Sequence, residues 1–293
     1  MAVRAVNPAP WPAPAKLNLF LHVLGRRADG YHDIQTAFQL IDLADSLVIR
    51  PRADGAIVRP GGPPAVPEQT DLCIRAARRL QAEHPAGPGA EIRLAKRIPI
   101  MGGLGGGSSD AATTLVALNE IWGLRLPVDR LAAIGRELGA DVPLFVHGHS
   151  AWAEGTGERL TPLALPAMHF ALVYPGAGVP TAEVFQAPEL TRNSARTTIR
   201  GFLKAGGRND CEAVVAARHP AVAAALTWLR QRGDARLTGT GSCVFAPFAD
   251  ERSAHAALEG LPPGWTGLVA RGLDRSPLQE RLAAERSGGC GPE

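Results

Sequence analysis

The stretch that decides how this chain folds is Pro99-Ile100-Met101-Gly102-Gly103-Leu104-Gly105-Gly106-Gly107-Ser108-Ser109-Asp110, which has five glycines within six positions. A strand pattern at residues 91–96 precedes it, and a helical pattern at residues 108–122 follows it. Glycine lets a backbone adopt positive φ and approach a ligand closely. The N–H groups of such a loop and of the next helix N-terminus favour an anion. The stretch therefore predicts a phosphate-binding loop.

Three better-known glycine loops do not fit this stretch. A P-loop needs a lysine directly after its glycines, and none follows here. A dinucleotide fingerprint starting at Gly103 would need glycine where Ser108 stands. The protein-kinase loop lacks its H-R-D and D-F-G partners. A flexible turn into a helix remains the structural alternative, although Ser108 and Ser109 could both cap the helix and offer a hydroxyl to a phosphate or metal.

The composition of the 293 residues is that of a globular rather than a disordered protein. Hydrophobic residues make up 45% and charged residues 20%. The net charge of +3 gives no electrostatic case for a nucleic-acid partner. The apolar residues 162–180 are interrupted by prolines and glycines, which predicts no membrane span. Four scattered cysteines, Cys73, Cys211, Cys243 and Cys290, predict a reduced, cytoplasmic protein.

Strand and helix patterns alternate along the chain with short turns between them. In the first half, strand patterns fall at residues 16–23, 46–50, 91–96 and 151–154, and helical patterns at 72–82, 108–122 and 128–138. In the second half, strand patterns fall at 168–174, 236–238, 243–247 and 267–271, and helical patterns at 210–217, 222–230 and 251–258. This mixture predicts an α/β or α+β class. Residues 286–293 predict a mobile, Gly-rich tail.

The glycine stretch resembles the phosphate loop Pro-x-x-x-Gly-Leu-Gly-x-x-Ser-Ser of the GHMP kinases, with one extra glycine. Four further motifs stand around it: Pro14-Ala15-Lys16-Leu17-Asn18-Leu19-Phe20-Leu21, Asp29-Gly30-Tyr31-His32, Leu138-Gly139-Ala140-Asp141-Val142-Pro143-Leu144-Phe145, and Leu237-Thr238-Gly239-Thr240-Gly241-Ser242-Cys243-Val244-Phe245. In order and spacing the set resembles that of the 4-diphosphocytidyl-2-C-methyl-D-erythritol kinases within that superfamily, over about residues 10–280.

The resemblance implies an α+β, two-domain GHMP-kinase fold with the active site in the cleft between the domains. The expected N-terminal domain is residues 1–162, with the ATP phosphate loop, and the C-terminal domain is residues 163–293. It further implies an ATP-dependent kinase that phosphorylates the 2-hydroxyl of a small molecule carrying a cytidine diphosphate group. ATP and Mg²⁺ are the expected cofactors, with the metal ligands unknown and Ser108 a weak candidate. Monomer and homodimer both stay open.

Two residues are the expected catalytic pair. Asp141 is expected to take or orient the proton of the substrate hydroxyl. The structural alternative is a helix N-cap, since Asp141 stands two residues before Pro143. Lys16 is expected to supply a fixed positive charge near that hydroxyl and the transferred phosphoryl. Its structural alternative is a solvated lysine at a strand edge.

The resemblance also assigns residues to the substrates. Tyr31 and Phe185 are expected to sandwich the cytosine, while His32 reads its polar edge; the alternative for each ring is core packing. Further expected substrate contacts are Asn18, Thr181, Gly239 and Gly241. Residues 238–242 could equally be a tight hairpin turn.

Other polar residues have weaker assignments. Lys96 is expected to touch the nucleotide, or else to lie at a solvated strand end. His147 and His149 could share a strand face, but without a third ligand they do not predict a metal site. Asp110 and Asp71 depart from the family pattern. Asp110 puts negative charge near the triphosphate, and Asp71 leaves an adenosine contact open.

Two other functions stay open. One is another small-molecule GHMP kinase, such as a homoserine or mevalonate kinase, which would lack the cytosine slot. The other is a module that binds ATP without turnover.

Overall fold

The computed structural model describes residues 9–61, 67–84 and 87–288. Its strands are β1 (Trp11–Arg26), β2 (His32–Arg52), β3 (Ile57–Val58), β4 (Gly89–Ala95), β5 (Ala151–Gly155), β6 (Arg159–Pro162), β7 (His169–Tyr174), β8 (Arg236–Leu237), β9 (Val244–Phe248) and β10 (Thr266–Leu273). Its helices are α1 (Leu72–Gln81), α2 (Gly106–Ile121), α3 (Val128–Leu138), α4 (Val142–His147), α5 (Thr181–Gln186), α6 (Ile199–Ala205), α7 (Glu212–Arg218), α8 (Pro220–Arg230), α9 (Glu251–Ala256) and α10 (Pro277–Gly288). A 3₁₀ turn, Glu68–Thr70, precedes α1.

The strands of the described residues form one sheet around the long hairpin β1–β2. β2 pairs antiparallel with β1, β4, β5 and β10. The order along the sheet is β3-β4-β2-β10-β7-β9-β8, and only β3 and β4 pair in parallel. β10 is the link between the halves, since it pairs with β2 through Gly272 and Leu273 and with β7 along the rest of its length.

Helices cover both halves of the sheet and form separate hydrophobic clusters. α1, α2, α3, α4 and α10 pack on the first half, where Phe38, Leu115 and Phe145 are fully buried. α7, α8 and α9 pack on the second half, around Leu226 and Val244. α2 is buried along most of its length between β1, α1 and α4. Such a helix gives the glycine loop before it a fixed base.

The expected α+β class is confirmed. α3 has the predicted bounds, and β7, α8, β9 and β10 lie within a residue or two of the predicted patterns. The division at residues 162 and 163 stays a prediction. Within the described residues, no helix is both long and apolar enough to cross a membrane.

The predicted Gly-rich tail overlaps the end of α10, and its mobility stays a prediction. Residues 286–288 end α10, which packs on β1 and α2 of the first half, with Leu278 fully buried in that core. Arg286 donates to Glu120 of α2 at 2.8 Å. The rest of that predicted tail, with Cys290, lies outside the described residues.

Candidate active site

A cleft of about 580 Å³ lies between the two halves and contains most of the predicted site residues. Its lining includes Lys16, Asn18, Lys96, residues 99–108, Asp110, Asp141, Thr181, Phe185 and Gly239. Of the other predicted residues, Ser109 is fully buried beneath the loop, and Tyr31 is 64% exposed. The structure therefore brings most of the predicted motifs together in one cleft, and their roles stay predictions.

The glycine loop turns directly into α2. Gly105 occupies the N-cap position with a left-handed φ of 72°. A Cβ there would lie 2.9 Å from Cζ of Phe145 and 3.1 Å from Cε of Lys16. The first N–H groups of α2 have no intrahelical partners, so they are donors at the floor of the cleft. Glycine is thus required at this position both by backbone conformation and by the space available.

The predicted loop of residues 238–242, which we call the third motif, joins β8 to β9 and packs on the glycine loop. The Cys243 N–H donates to the Gly102 carbonyl at 3.0 Å. A Cβ on Gly103 would lie only 2.3 Å from the Thr238 carbonyl oxygen. The segment is therefore both the hairpin connection that the sequence allowed and one wall of the cleft. Gly241 shapes it with a φ of 82°.

Lys16 is almost fully buried on β1, so its alternative as a solvated edge lysine is wrong. Its Nζ donates to Oδ1 of Asn18 at 2.5 Å and to the Gly103 carbonyl at 3.0 Å. The same Nζ lies 3.4 Å from Oδ2 of Asp141. A buried ammonium needs such partners, and together they fix the charge between the glycine loop and the Asp141 carboxylate.

Asp141 precedes α4 at its N-cap position, but its side chain makes no capping hydrogen bond. Its backbone is in the helical region, with φ −84° and ψ −12°, whereas a capping residue usually has extended backbone. Its carboxylate is partly exposed in the cleft and pairs with Lys16. The capping alternative is therefore wrong, and the side chain is available to a ligand.

Asn18 is held in one orientation by two threonines. Its Nδ2 donates to Oγ1 of Thr36 at 2.9 Å, and its backbone N–H donates to Oγ1 of Thr238 at 2.9 Å. With Oδ1 on Lys16, its amide is fixed from both ends. This network ties β1 to β2 and to the third motif.

Lys96 lies between two carboxylates, so a solvated strand end is also wrong. Its Nζ donates to Asp45 and, at 2.7 Å, to Oδ2 of Asp110. Burial alone would lower the pKa of Lys96, but the charges of Asp110 and Asp45 outweigh burial and raise it. Burial raises the pKa of Asp110 to about 7, with the Asp45 charge acting in the same direction and Lys96 against it. Oδ1 of Asp110 is buried without a partner.

Asp71 is the N-cap of α1. Its Oδ1 accepts from the N–H groups of Cys73 and Ile74 at 2.8 and 3.2 Å. Its Oδ2 lies 2.5 Å from Nε of Arg59. The carboxylate is thus neutralised at the edge of the cleft, which removes the repulsion that a free aspartate would bring to a nucleotide.

The aromatic residues are arranged differently from the predicted order. Tyr31 lies exposed on the turn between β1 and β2, while His32 is 8% exposed. The ring that stacks on Phe185 is His32, with centroids 5.2 Å apart and 30° between the planes. Burial lowers the pKa of His32, and the positive charges of Arg192 and Arg26 lower it further.

The histidine pair does not lie on a strand. His147 ends α4, and Gly148 follows it with a left-handed φ of 70° before His149. In the described ranges, no three His, Cys, Asp or Glu side chains are grouped as metal ligands. That these two histidines form no metal site stays a prediction.

Sequence reasoning missed three residues that hold the site: Asp45, Thr36 and Arg192. Asp45 accepts the backbone N–H groups of Arg97 and Ile98 at 2.6 and 2.9 Å, besides pairing with Lys96. No short-range pattern marks these residues, because each acts on a partner distant in sequence. The polarity of Thr36 and Asp45 was no signal either, since β2 also contains Gln35, Gln39 and Asp42.

Comparison with known proteins places this architecture among kinases. The model of the GHMP kinases N terminal domain matches residues 71–149, and that of the GHMP kinases C terminal domain matches residues 189–263. The 4-diphosphocytidyl-2-C-methyl-D-erythritol kinase of Halorhodospira halophila is 55% identical over 282 residues, covering 95% of this chain and 98% of the relative. That of Alkalilimnicola ehrlichii is 56% identical over 276 residues, covering 94% and 95%.

Solved structures show the same likeness. A crystal structure of 4-(cytidine 5'-diphospho)-2C-methyl-D-erythritol kinase has a TM-score of 0.79 and 34% identity, covering 90% of this chain and 98% of that chain. The mevalonate kinase of Methanococcus jannaschii has a TM-score of 0.65 at 17% identity, covering 92% and 100%. The second likeness is one of fold alone.

Proposed function

The chain belongs to the GHMP kinases and, within them, to the 4-diphosphocytidyl-2-C-methyl-D-erythritol kinases, and we propose how its cleft performs that reaction. The γ-phosphoryl group of ATP passes to the 2-hydroxyl of 4-diphosphocytidyl-2-C-methyl-D-erythritol. The step belongs to the methylerythritol phosphate pathway of isoprenoid precursor biosynthesis. The observation that carries the proposal is the Lys16–Asp141 pair beside the glycine loop.

Asp141 receives the proton of the acceptor hydroxyl. Its carboxylate faces the cleft and makes no capping hydrogen bond to α4. A general base must be within hydrogen-bond reach of the proton that it takes. A partly exposed carboxylate with no hydrogen bond to its own helix can be reached in this way. Lys16 stabilises the negative charge that develops on the attacking oxygen and the phosphoryl group. Its contact with the Gly103 carbonyl ties this charge to the ATP loop.

The glycine loop and the N-terminus of α2 receive the phosphates of ATP. Donor N–H groups and the dipole of this 16-residue helix both favour negative charge there. Lys96 lies against the loop, since a Cβ on Gly106 would be 3.2 Å from its Nζ. Its ammonium offsets the charge of Asp45 and Asp110 below the phosphates. We therefore assign Lys96 to the nucleotide side of the cleft.

Mg²⁺ belongs to the same proposal, and the residues fit it. Oδ1 of Asp110 is buried and unpartnered on a residue that lines the cleft, and Ser108 lines the cleft beside it. Magnesium in phosphoryl-transfer sites usually takes one or two protein oxygens, with the rest from phosphates and water. Asp110 and Ser108 would hold it. Held there, Mg²⁺ would supply positive charge that offsets the negative charge of the phosphates.

The cytidine end of the acceptor binds at the far end of the cleft, against Phe185 and His32. Phe185 offers a ring face, and His32 offers a neutral imidazole edge for the base. The hydroxyl of Thr181 lies 3.1 Å from that of Thr240 in the third motif, and both suit the diphosphate or the methylerythritol. Tyr31 would stack on the base only by folding in from its exposed turn.

The decisive experiment measures ADP formation with each acceptor. We expect ADP only when 4-diphosphocytidyl-2-C-methyl-D-erythritol is present, and we expect CMP and CDP to compete with it. Turnover of homoserine or mevalonate instead would favour the alternative kinases. ATP binding without any acceptor-dependent ADP would favour the non-enzymatic module.

A further inference from the structure

The guanidinium of Arg192 joins the two sides of the predicted pyrimidine site. Its Nε donates to Nε2 of His32 at 3.0 Å. Its Nη2 donates to the carbonyls of Phe185 and Ala187 at 3.0 and 2.7 Å, and its Nη1 donates to the carbonyl of Leu190 at 3.1 Å. One side chain thus holds the ring that follows the β1–β2 turn and the C-terminal carbonyls of α5. Arginine is suited to this because its donors are fixed in a plane.

The contact with Nε2 determines where the imidazole carries its hydrogen. A nitrogen that accepts from arginine must present a lone pair, so the neutral ring has its hydrogen on Nδ1. The charged groups that act on the ring are Arg192 and Arg26, and both oppose protonation. His32 is therefore a neutral ring with one defined donor. No group in the described part of the chain hydrogen-bonds Nδ1.

The same guanidinium fixes the position of the ring as well as its tautomer. His32 stacks on Phe185 with a centroid separation of 5.2 Å. Arg192 binds the imidazole of one partner and the backbone carbonyl of the other. Loss of Arg192 would release both contacts at once, whereas loss of a residue on either side alone would release one.

We propose that Arg192 is a positioning residue of the pyrimidine site, which fixes His32 as the Nδ1–H tautomer and holds its ring against Phe185. The proposal rests on the proposed function, in which these two rings receive cytosine. The edge of cytosine carries acceptors at O2 and N3, and an Nδ1–H donor matches them. The other tautomer would present a lone pair to those acceptors. It would also direct an N–H of His32 at the N–H of Arg192.

The test combines nitrogen NMR of the free enzyme with acceptor kinetics. Histidine labelled with ¹⁵N reports tautomer and protonation, and His32→Gln assigns the signal. In the unaltered enzyme we expect a neutral Nδ1–H ring at pH 7. In Arg192→Gln we expect mixed tautomers, a higher pKa for His32 and an acceptor KM raised about tenfold, with the KM for ATP unchanged. The matched control is Arg196→Gln, which removes an exposed arginine that pairs with Glu154.

Arg192→Lys separates charge from geometry and serves if Arg192→Gln does not fold. It should keep the ring neutral and give an acceptor KM between those of the other two forms, since lysine lacks the planar fork. A hydrogen on Nε2 in the unaltered enzyme, or an unchanged His32 spectrum in Arg192→Gln, would overturn the proposal. So would a KM for the lysine variant equal to that of the unaltered enzyme.

The two proposals fail in different ways. An enzyme that does not phosphorylate the acceptor contradicts the proposed function, while the spectrum of the free enzyme still tests what Arg192 does to His32. A changed tautomer with an unchanged acceptor KM would overturn the role of Arg192 in binding and the placement of cytosine here.

Discussion

Nζ of Lys16 and Oδ2 of Asp141 lie 3.4 Å apart, although one residue lies in the first strand and the other directly precedes the fourth helix. The ammonium is almost fully buried, whereas the carboxylate is 30% exposed in the cleft. A buried charge held beside a reachable carboxylate suits the roles proposed for this pair, which are proton acceptance by Asp141 and transition-state stabilisation by Lys16.

Asp141→Asn should lower turnover by about 10²- to 10⁴-fold, the usual range for a positioned base. Because Asp141 makes no capping hydrogen bond and Lys16 keeps its hydrogen bonds to Asn18 and to the Gly103 carbonyl, the melting temperature should stay near that of the unaltered enzyme. The measurements are kcat, the Kd for ATP and thermal unfolding. Asp129→Asn, an exposed acidic residue in the first turn of α3, is the control. Near-normal turnover would remove Asp141 from the chemistry.

Gly105→Val should weaken ATP binding much more than acceptor binding. The new side chain would enter a left-handed position already filled by Phe145 and Lys16. Gly123→Val is the matched control, because Gly123 has a similar φ of 67° with nothing within 4 Å of its Cβ. Calorimetric titration with an ATP analogue measures the effect. Equal losses in the two variants would mean that backbone strain alone is responsible.

Asp110→Asn should flatten the dependence of stability on pH. Burial raises the pKa of Asp110 to about 7, whereas an unfolded aspartate titrates near about 3.9. Between these values the folded state binds more protons than the unfolded state, so the stability due to this group falls as pH rises from about 4 to about 7. The melting temperature of the unaltered enzyme should therefore fall more steeply with rising pH over this range than that of Asp110→Asn. Parallel profiles would contradict the assignment.

Three thiols should not react in the native enzyme. Cys73, Cys211 and Cys243 are buried, and burial raises the pKa of each, that of Cys211 to about 12. Their thiolates are thus scarce at neutral pH, and reagents cannot reach them. Mass spectrometry after alkylation should find these three unmodified and turnover unchanged. Labelling of Cys243 with loss of activity would show that the third motif opens.

Phe185→Ala should raise the KM for the acceptor by the equivalent of about 1–3 kcal/mol, the usual loss for one stacked base, and leave that for ATP nearly unchanged. Tyr31→Ala should leave the melting temperature unchanged, because that ring is exposed rather than packed in a core. Its effect on the acceptor KM then decides whether the turn closes over the base. An unchanged acceptor KM in both variants would contradict the cytosine assignment.

Local signals predicted the parts of the molecule that local forces determine. Pro127 and Gly139 mark the limits of α3 in the sequence, and the structure has the same bounds. The first part of β2 was missed, because Ile34, Gln35 and Thr36 are all buried and a strand covered on both faces shows no alternation.

The details of the site depended on tertiary packing. The position of Asp141 two residues before Pro143 favoured a helix cap. In the structure its backbone is helical and its carboxylate pairs with Lys16, so it makes no capping hydrogen bond. Similarly, nothing local determines which of Tyr31 and His32 turns inward. His32 is the ring that turns inward because it stacks on Phe185 and accepts a hydrogen bond from Arg192, both more than a hundred residues away.

The return of β10 and α10 to the first half affects the order in which the molecule can be completed during synthesis. Leu278 fills a place in the core that otherwise consists of residues 11–153. A nascent chain that has emerged only as far as β5 therefore has a hole in its hydrophobic interior and an unpaired edge on β2. The core of the first half is therefore complete only once α10 has been synthesised and has docked on β1 and α2.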